Sequence, residues 1–90
     1  MADVIYGTVT SVADGDTFDV SVYYQSPGNK LGYNKSETVR VANIDAPELP
    51  SAAGLTAKTK LERRILGKNV RLEVQARDKF GRLVCNVNLA

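Results

Sequence analysis

Apolar and polar residues alternate with a period of two in five separate stretches of this 90-residue chain, and a helical period replaces it only once, between the third stretch and the fourth. Alternation of that kind sends successive side chains to opposite faces of a sheet, which commits the chain to five half-buried strands and one helix. The strands are expected at Val4–Val12, Thr17–Tyr24, Glu37–Ile44, Asn69–Ala76 and Leu83–Leu89. In the first, Val4, Tyr6, Thr8, Thr10 and Val12 share one face, and Ile5, Gly7, Val9 and Ser11 the other; in the second, Phe18, Val20, Val22 and Tyr24 fall together. Asp14-Gly15-Asp16 joins these two as a tight turn of residue types that tolerate positive φ. A polar loop, 25–36, precedes the third strand.

Pro47 and Pro50 remove backbone donors and restrict the residues before them, so Asp45 to Pro50 leaves the third strand as a loop. Ser51 can cap a helix over Ala52–Leu66, and Gly67 can end it. Ala53, Ala57, Leu61 and Ile65 would face inward with Leu55 and Leu66 beside them, while Gly54 and two threonines weaken the first turn. The result is mainly β with one helix, in the order β-β-β-α-β-β. That is the plan of a five-stranded OB-fold Greek-key barrel, a fold that commonly binds nucleic acid. Ninety residues make one domain, 1–90, whose core holds roughly 60–65% of the surface that the unfolded chain exposes.

Charge is split along the chain. Residues 1–50 carry three Lys/Arg against seven Asp/Glu, and residues 51–90 carry nine against three. An acidic half suits a cation and a basic half suits a polyanion; taken singly, most of these residues read as solvated surface. There is no His, and Cys85 is alone. That excludes an intramolecular disulfide, a His- or Cys-based zinc site, Ser-His or Cys-His nucleophiles and imidazole acid–base chemistry. A catalyst in this chain must use carboxylates, Lys, Arg, Tyr, hydroxyls or an oxygen-bound metal. No stretch is long and apolar enough to span a membrane. The first residues, Met1-Ala2-Asp3-Val4, lack the pattern of a signal peptide, so the expectation is a protein that stays in the cell or one whose leader has been removed.

Three segments carry the chemistry. Asp14 and Asp16 stand two apart where a strand begins, so their oxygens can point the same way, as Ca²⁺ or Mg²⁺ binding needs. Asp-Gly-Asp alone is more often a plain hairpin turn. Asp45 closes the third strand; it and the Ala46 carbonyl can add oxygen ligands, and Glu48 can take a proton from an attacking water. Read in isolation, that segment is a proline-fixed loop with solvated carboxylates. Arg40 shares its strand face with Ala42 and Ile44, which is not a simple wet face, and a half-buried guanidinium there wants an anion. Arg82 ends the turn Asp78-Lys79-Phe80-Gly81-Arg82, where the bland reading is a turn charge paired with Asp78. Two guanidinium forks on one phosphate would bind it and neutralise charge in the transition state.

Together, Val12-Ala13-Asp14-Gly15-Asp16-Thr17, Val39-Arg40 through Ile44-Asp45-Ala46-Pro47-Glu48, and Asp78-Lys79-Phe80-Gly81-Arg82-Leu83 resemble the signatures of the staphylococcal nuclease (thermonuclease) family, in order and over residues 4–89. The resemblance implies an OB barrel, Ca²⁺ dependence and hydrolysis of DNA or RNA to products with 3′-phosphates. It implies that Asp16, Asp45 and the Ala46 carbonyl coordinate Ca²⁺ with Asp14 as an outer ligand. Glu48 would be the general base, Arg40 and Arg82 would grip the scissile phosphate, and Lys79 would contact a neighbouring one. Phe80 stands at a substrate-binding position where Tyr is common, which removes a hydroxyl from end-on nucleotide binding. Ala46 stands where Thr is frequent, at little cost because the ligand there is backbone. The family continues past the fifth strand into helices that cover the barrel, and this chain stops at Ala90. The expectations are a minimal version, a piece of a longer protein, or a chain whose apolar surface is covered by self-association or a partner. The alternative function is a non-catalytic nucleic-acid- or protein-binding module, since degenerate copies serve that way; such copies usually lose a carboxylate or an arginine, and this chain keeps them all.

Overall fold

The computed structural model describes residues 2–90. Its elements are β1 (Asp3–Asp14), β2 (Thr17–Gln25), β3 (Ser36–Val41), α1 (Ala52–Ile65), β4 (Asn69–Arg77) and β5 (Leu83–Leu89), in the expected order. The sheet closes as β1-β2-β3-β5-β4, with β4 paired back onto β1. Every pair is antiparallel except β3 with β5, which run parallel through Val39–Leu83, Arg40–Val84 and Val41–Cys85. This is the five-stranded OB barrel.

Phe18, Ile5, Leu72, Leu83, Val9, Val20, Val39, Val70 and Cys85 are fully buried inside it. Each of the larger ones contributes roughly 1.5–3 kcal/mol by leaving water. Burial, with the Glu37 charge nearby, pushes the Cys85 thiol up to about 12, so this is a packed, unreactive cysteine. Among the described residues no helix is long and apolar enough to cross a membrane.

Of the register shifts in the sheet, those at Thr10, Tyr23 and Gln75 redistribute the faces read from alternation. Thr10 is the extra residue in the β1–β2 pairing, so Ile5, Gly7 and Val9 point inward, and then Val12 does. The face assigned to Val4, Tyr6, Thr8 and Thr10 is therefore the outer one, and only Val12 crosses to the core. Tyr23 is extra in the same way; Phe18 and Val20 are buried, but Tyr24 pairs outside with Tyr6, their rings 5.8 Å apart edge to face. Gln75 shifts the β4–β5 register and leaves Ala76 outside. A bulge adds one residue to one strand and so inverts the inward set beyond it.

Strand β3 ends at Val41, three residues short of Ile44. Its parallel pairing stops at Cys85, the Ala42 N–H donates to the Cys85 carbonyl, and Asn43 turns the chain outward at φ 63°. Arg40 thus does not share a strand face with Ile44, which is exposed. In α1, Ser51 is the N-cap, its Oγ accepting from Gly54 N–H at 2.9 Å, and Gly67 follows the C-cap at φ 76°. Ile65 and Leu61 face the core as expected, whereas Leu55, Leu66 and Ala53 are exposed, and the buried residue of the first turn is Gly54.

Away from that loop, Asp3 and Glu37 fasten the loop 26–35 to the barrel. The Asp3 carboxylate accepts from Lys30 N–H, Leu31 N–H and Tyr33 O–H at 2.9, 2.9 and 2.7 Å. Those bonds hold its carboxyl below the usual range. Glu37 is buried and takes both forks of Arg77, at 3.1 and 3.2 Å, along with the Asn34 N–H at 2.9 Å.

Candidate active site

The β1–β2 turn, the loop after β3 and the start of β5 meet at one rim of the barrel. A cleft of about 220 Å³ opens there, lined by Asp14 and Asp16 from the turn, Arg40 from β3, Asp45 to Glu48 from the loop, and Arg82 ahead of β5. A shallower depression continues from it past Ile44, Asp78 and Val84, sharing Arg40, Asp45 and Arg82.

Backbone pairing builds this meeting point. The Asp16 carbonyl accepts from Val41 N–H at 2.8 Å, which ties the turn to the end of β3. Asp16 is buried and its Oδ2 accepts from the Ala46 N–H at 3.1 Å, which draws the loop over the turn. Its Oδ1 accepts from the buried Thr17 hydroxyl at 2.9 Å. Asp14 Oδ1 accepts from Asp16 N–H at 3.0 Å. Burial opposes charge on Asp16, but Asp14, the Ala46 N–H, Thr17 and the Arg40 charge outweigh it and hold the carboxyl below the usual range.

Arg40 is fixed at both ends of its fork. Nη1 donates to the Val41 and Ile44 carbonyls at 2.8 and 2.7 Å, and Nη2 donates to Asp45 Oδ1 at 2.5 Å, with Asp16 Oδ2 at 3.6 Å. Asp45 itself is 96% exposed in its side chain, so Arg40 is its main restraint. Arg82 is held by Asp78: Nε donates to Oδ2 at 2.7 Å, while Asp78 Oδ1 accepts from the Phe80 and Arg82 N–H groups at 2.9 Å each. The bland pairing expected for Arg82 is therefore present, and it coexists with a place in the cleft. Those bonds more than offset partial burial and lower the Asp78 carboxyl.

Lys79 and Phe80 stand outside the cleft on the turn. The Phe80 ring is 72% exposed, with Lys79 Nζ 5.2 Å and Arg82 Cζ 5.3 Å from its centre. Asp14, Asp16, Asp45 and the Ala46 carbonyl are hard oxygen donors, the chemistry that Ca²⁺ takes. Their donor types fit that ion, although among the described residues no three carboxylates are gathered closely enough to hold a metal, Asp45 being turned to Arg40.

Sequence reasoning named Asp78 as a partner for Arg82, which the structure shows, but missed two groups that build the rim. One is Thr17, whose hydroxyl fixes Asp16. The other is Gly15, which is not among the left-handed glycines of this chain, Gly28, Gly67 and Gly81. Space, not φ, demands glycine there: a Cβ would lie 2.6 Å from the Ala57 methyl and 2.7 Å from the Ala46 methyl.

A family model described as staphylococcal nuclease homologue matches residues 38–90. Among curated proteins, probable endonuclease LCL3 of Coccidioides posadasii is 36% identical over 104 residues, covering 92% of this chain and 32% of that protein. Probable endonuclease lcl3 of Schizosaccharomyces japonicus is also 36% identical, over 92% of this chain and 43% of its own length. The LCL3 protein of Yarrowia lipolytica, again called a probable endonuclease, is 34% identical over 89% of this chain and 44% of its own. The chain thus spans 32–44% of the length of each of these relatives.

Proposed function

We propose, from the premise that this chain belongs to the staphylococcal nuclease homologue family, that it is a Ca²⁺-dependent phosphodiesterase domain that hydrolyses DNA or RNA. The observation that carries this reading is the single cleft that gathers Asp14, Asp16, Asp45, Glu48, Arg40 and Arg82. The endonuclease names of the LCL3 relatives agree with it. Asp16, Asp45 and the Ala46 carbonyl would hold Ca²⁺, with Asp14 outside them. When bound, that ion supplies polarisation of the phosphate and acidity to the attacking water.

Glu48 is exposed at the cleft, where its carboxylate takes the proton from water as the water oxygen bonds to phosphorus. Arg40 and Arg82 grip the non-bridging oxygens, on which charge grows in the transition state. Arg40 can offer Nη2 to a phosphate once Asp45 lets go of it. The bond from phosphorus to the 5′ oxygen breaks, Arg82 favours departure of that oxygen, which takes up a proton from solvent water to become a hydroxyl, and the phosphate stays on the 3′ side. Lys79 meets a flanking phosphate, and the exposed Phe80 ring offers a face for a base.

The test is plasmid nicking by the purified chain with Ca²⁺, with Mg²⁺ and with chelator. Ca²⁺-stimulated nicking abolished by chelator is the expected result. A well-folded sample without it replaces this reading with the non-catalytic binding module.

A further inference from the structure

We infer that Gly15 is a positioning residue: its missing side chain sets the distance between the Asp14/Asp16 pair and the Ala46 loop, with α1 as the fixed wall behind. The inference rests on the proposed function and adds a determinant that lies outside every group assigned a chemical role.

Three elements touch at this one position. The Cβ that Gly15 lacks would fall 2.6 Å from Ala57 Cβ in α1, 2.7 Å from Ala46 Cβ in the loop and 3.3 Å from the Ala57 carbonyl carbon. None of these is the tip of a flexible side chain. Ala57 belongs to a helix whose first turn is itself pressed on the loop, for a Cβ at Gly54 would meet the Glu48 carbonyl oxygen at 2.4 Å. The Glu48 carbonyl also accepts from Ser51 N–H and Ser51 Oγ, at 3.2 and 2.6 Å. The helix therefore cannot retreat without carrying the loop along. A methyl at Gly15 must instead push the turn away from Ala46. The bond that then gives is Asp16 Oδ2 to the Ala46 N–H, 3.1 Å, a direct tie between the two sets of oxygen donors.

Gly15→Ala in the whole chain tests this, read by Ca²⁺ affinity in calorimetry without nucleic acid, by nicking rate at saturating Ca²⁺, and by thermal midpoint. We expect Ca²⁺ affinity and rate each to fall about 10–100-fold, the usual cost of disturbing groups that orient a ligand set. Ala57→Gly added to Gly15→Ala opens the wall and restores part of both. Glycine in a helix interior destabilises it, so a merely structural role predicts that the double variant loses further ground. Recovery of affinity and rate with a lower thermal midpoint separates the two accounts. Should Gly15→Ala not fold, Ala57→Val enlarges the same contact from the helix side and must weaken Ca²⁺ binding. The inference is overturned by a Gly15→Ala or Ala57→Val chain with wild-type affinity and rate, or by a double variant worse than the single. Wild-type chain that neither binds Ca²⁺ nor cleaves overturns the functional reading and this inference with it. Wild-type activity with an unaffected Gly15→Ala overturns the inference alone.

Discussion

Two groupings of carboxylates and guanidinium sit in this barrel, and they differ in what is left over. Around Glu37 the charges are matched and enclosed. Both carboxylate oxygens face Arg77, Asn34 adds a donor, and Arg77 Nη1 also donates to the Gly81 carbonyl. At the cleft, four carboxylates meet two arginines, Asp45 is exposed apart from its pair with Arg40, and Glu48 has no ion pair among the described residues. The same functional groups fasten a loop in one place and present surplus acidic oxygen in the other. Surplus acid facing a cleft costs stability and is what a bound cation requires. Mutations should therefore separate the two regions cleanly, one by activity and the other by stability.

Glu48→Gln gives the largest effect. It should lower nuclease turnover by roughly 10²–10⁴-fold, the usual worth of a general base. The thermal midpoint and Ca²⁺ affinity should stay at wild-type values, because the side chain is exposed and has no ion pair among the described residues. Undiminished turnover in a single-turnover assay removes Glu48 from the chemistry. Arg77→Ala acts the opposite way. It strands the buried Glu37 carboxylate and should cost about 3 kcal/mol by urea unfolding, the low end for a broken buried pair because Arg77 is one-third exposed. Its turnover per folded molecule should not change, and a fall in turnover would show that the two regions are coupled.

Asp3→Asn gives the smallest effect and shows itself in acid. Asp3 and Glu37 both have carboxyls held below their ordinary values of 3.8 and 4.5. At Asp3 the cause is the Lys30, Leu31 and Tyr33 bonds; at Glu37, burial pulls the other way and Arg77 with Asn34 overcomes it. A depressed carboxyl stabilises the fold above its unfolded-state value and loses that contribution as the pH falls through its folded value. Wild type should thus weaken progressively below about pH 4.5, by the linkage that governs such groups. Asp3→Asn should be less stable at neutral pH and approach wild type toward pH 2. Parallel stability curves from pH 7 to 2 would show that Asp3 does not staple the loop.

The elements, their order and the site segments were legible in the sequence because each rests on local chemistry. Alternation marks a strand, Ser51 and Gly67 bracket a helix, and prolines force the loop that carries Glu48. Faces were legible only as far as the next bulge. The period runs unbroken across Thr10 and Tyr23, and nothing in those residue types announces that the pairing strand skips one position. The end of β3 was misplaced for a related reason. Ile44 has high strand propensity, but the parallel partner runs out at Cys85 and the left-handed Asn43 turns the chain away. Propensity is local, whereas pairing depends on a strand forty residues later. Gly15 shows the same limit at the site. Its neighbours in the chain suggest a turn glycine, and its actual constraint comes from Ala46 and Ala57, which no reading of adjacent residues connects to it.

The parallel seam between β3 and β5 is only three residue pairs long, yet it is what brings Arg40 beside the strand that Arg82 introduces. Every acidic oxygen of the cleft lies within the first forty-eight residues, while the second arginine arrives with the last strand. The two guanidinium groups face the same cleft once the final strand docks, so the grip on phosphate proposed for them depends on closure of the whole barrel.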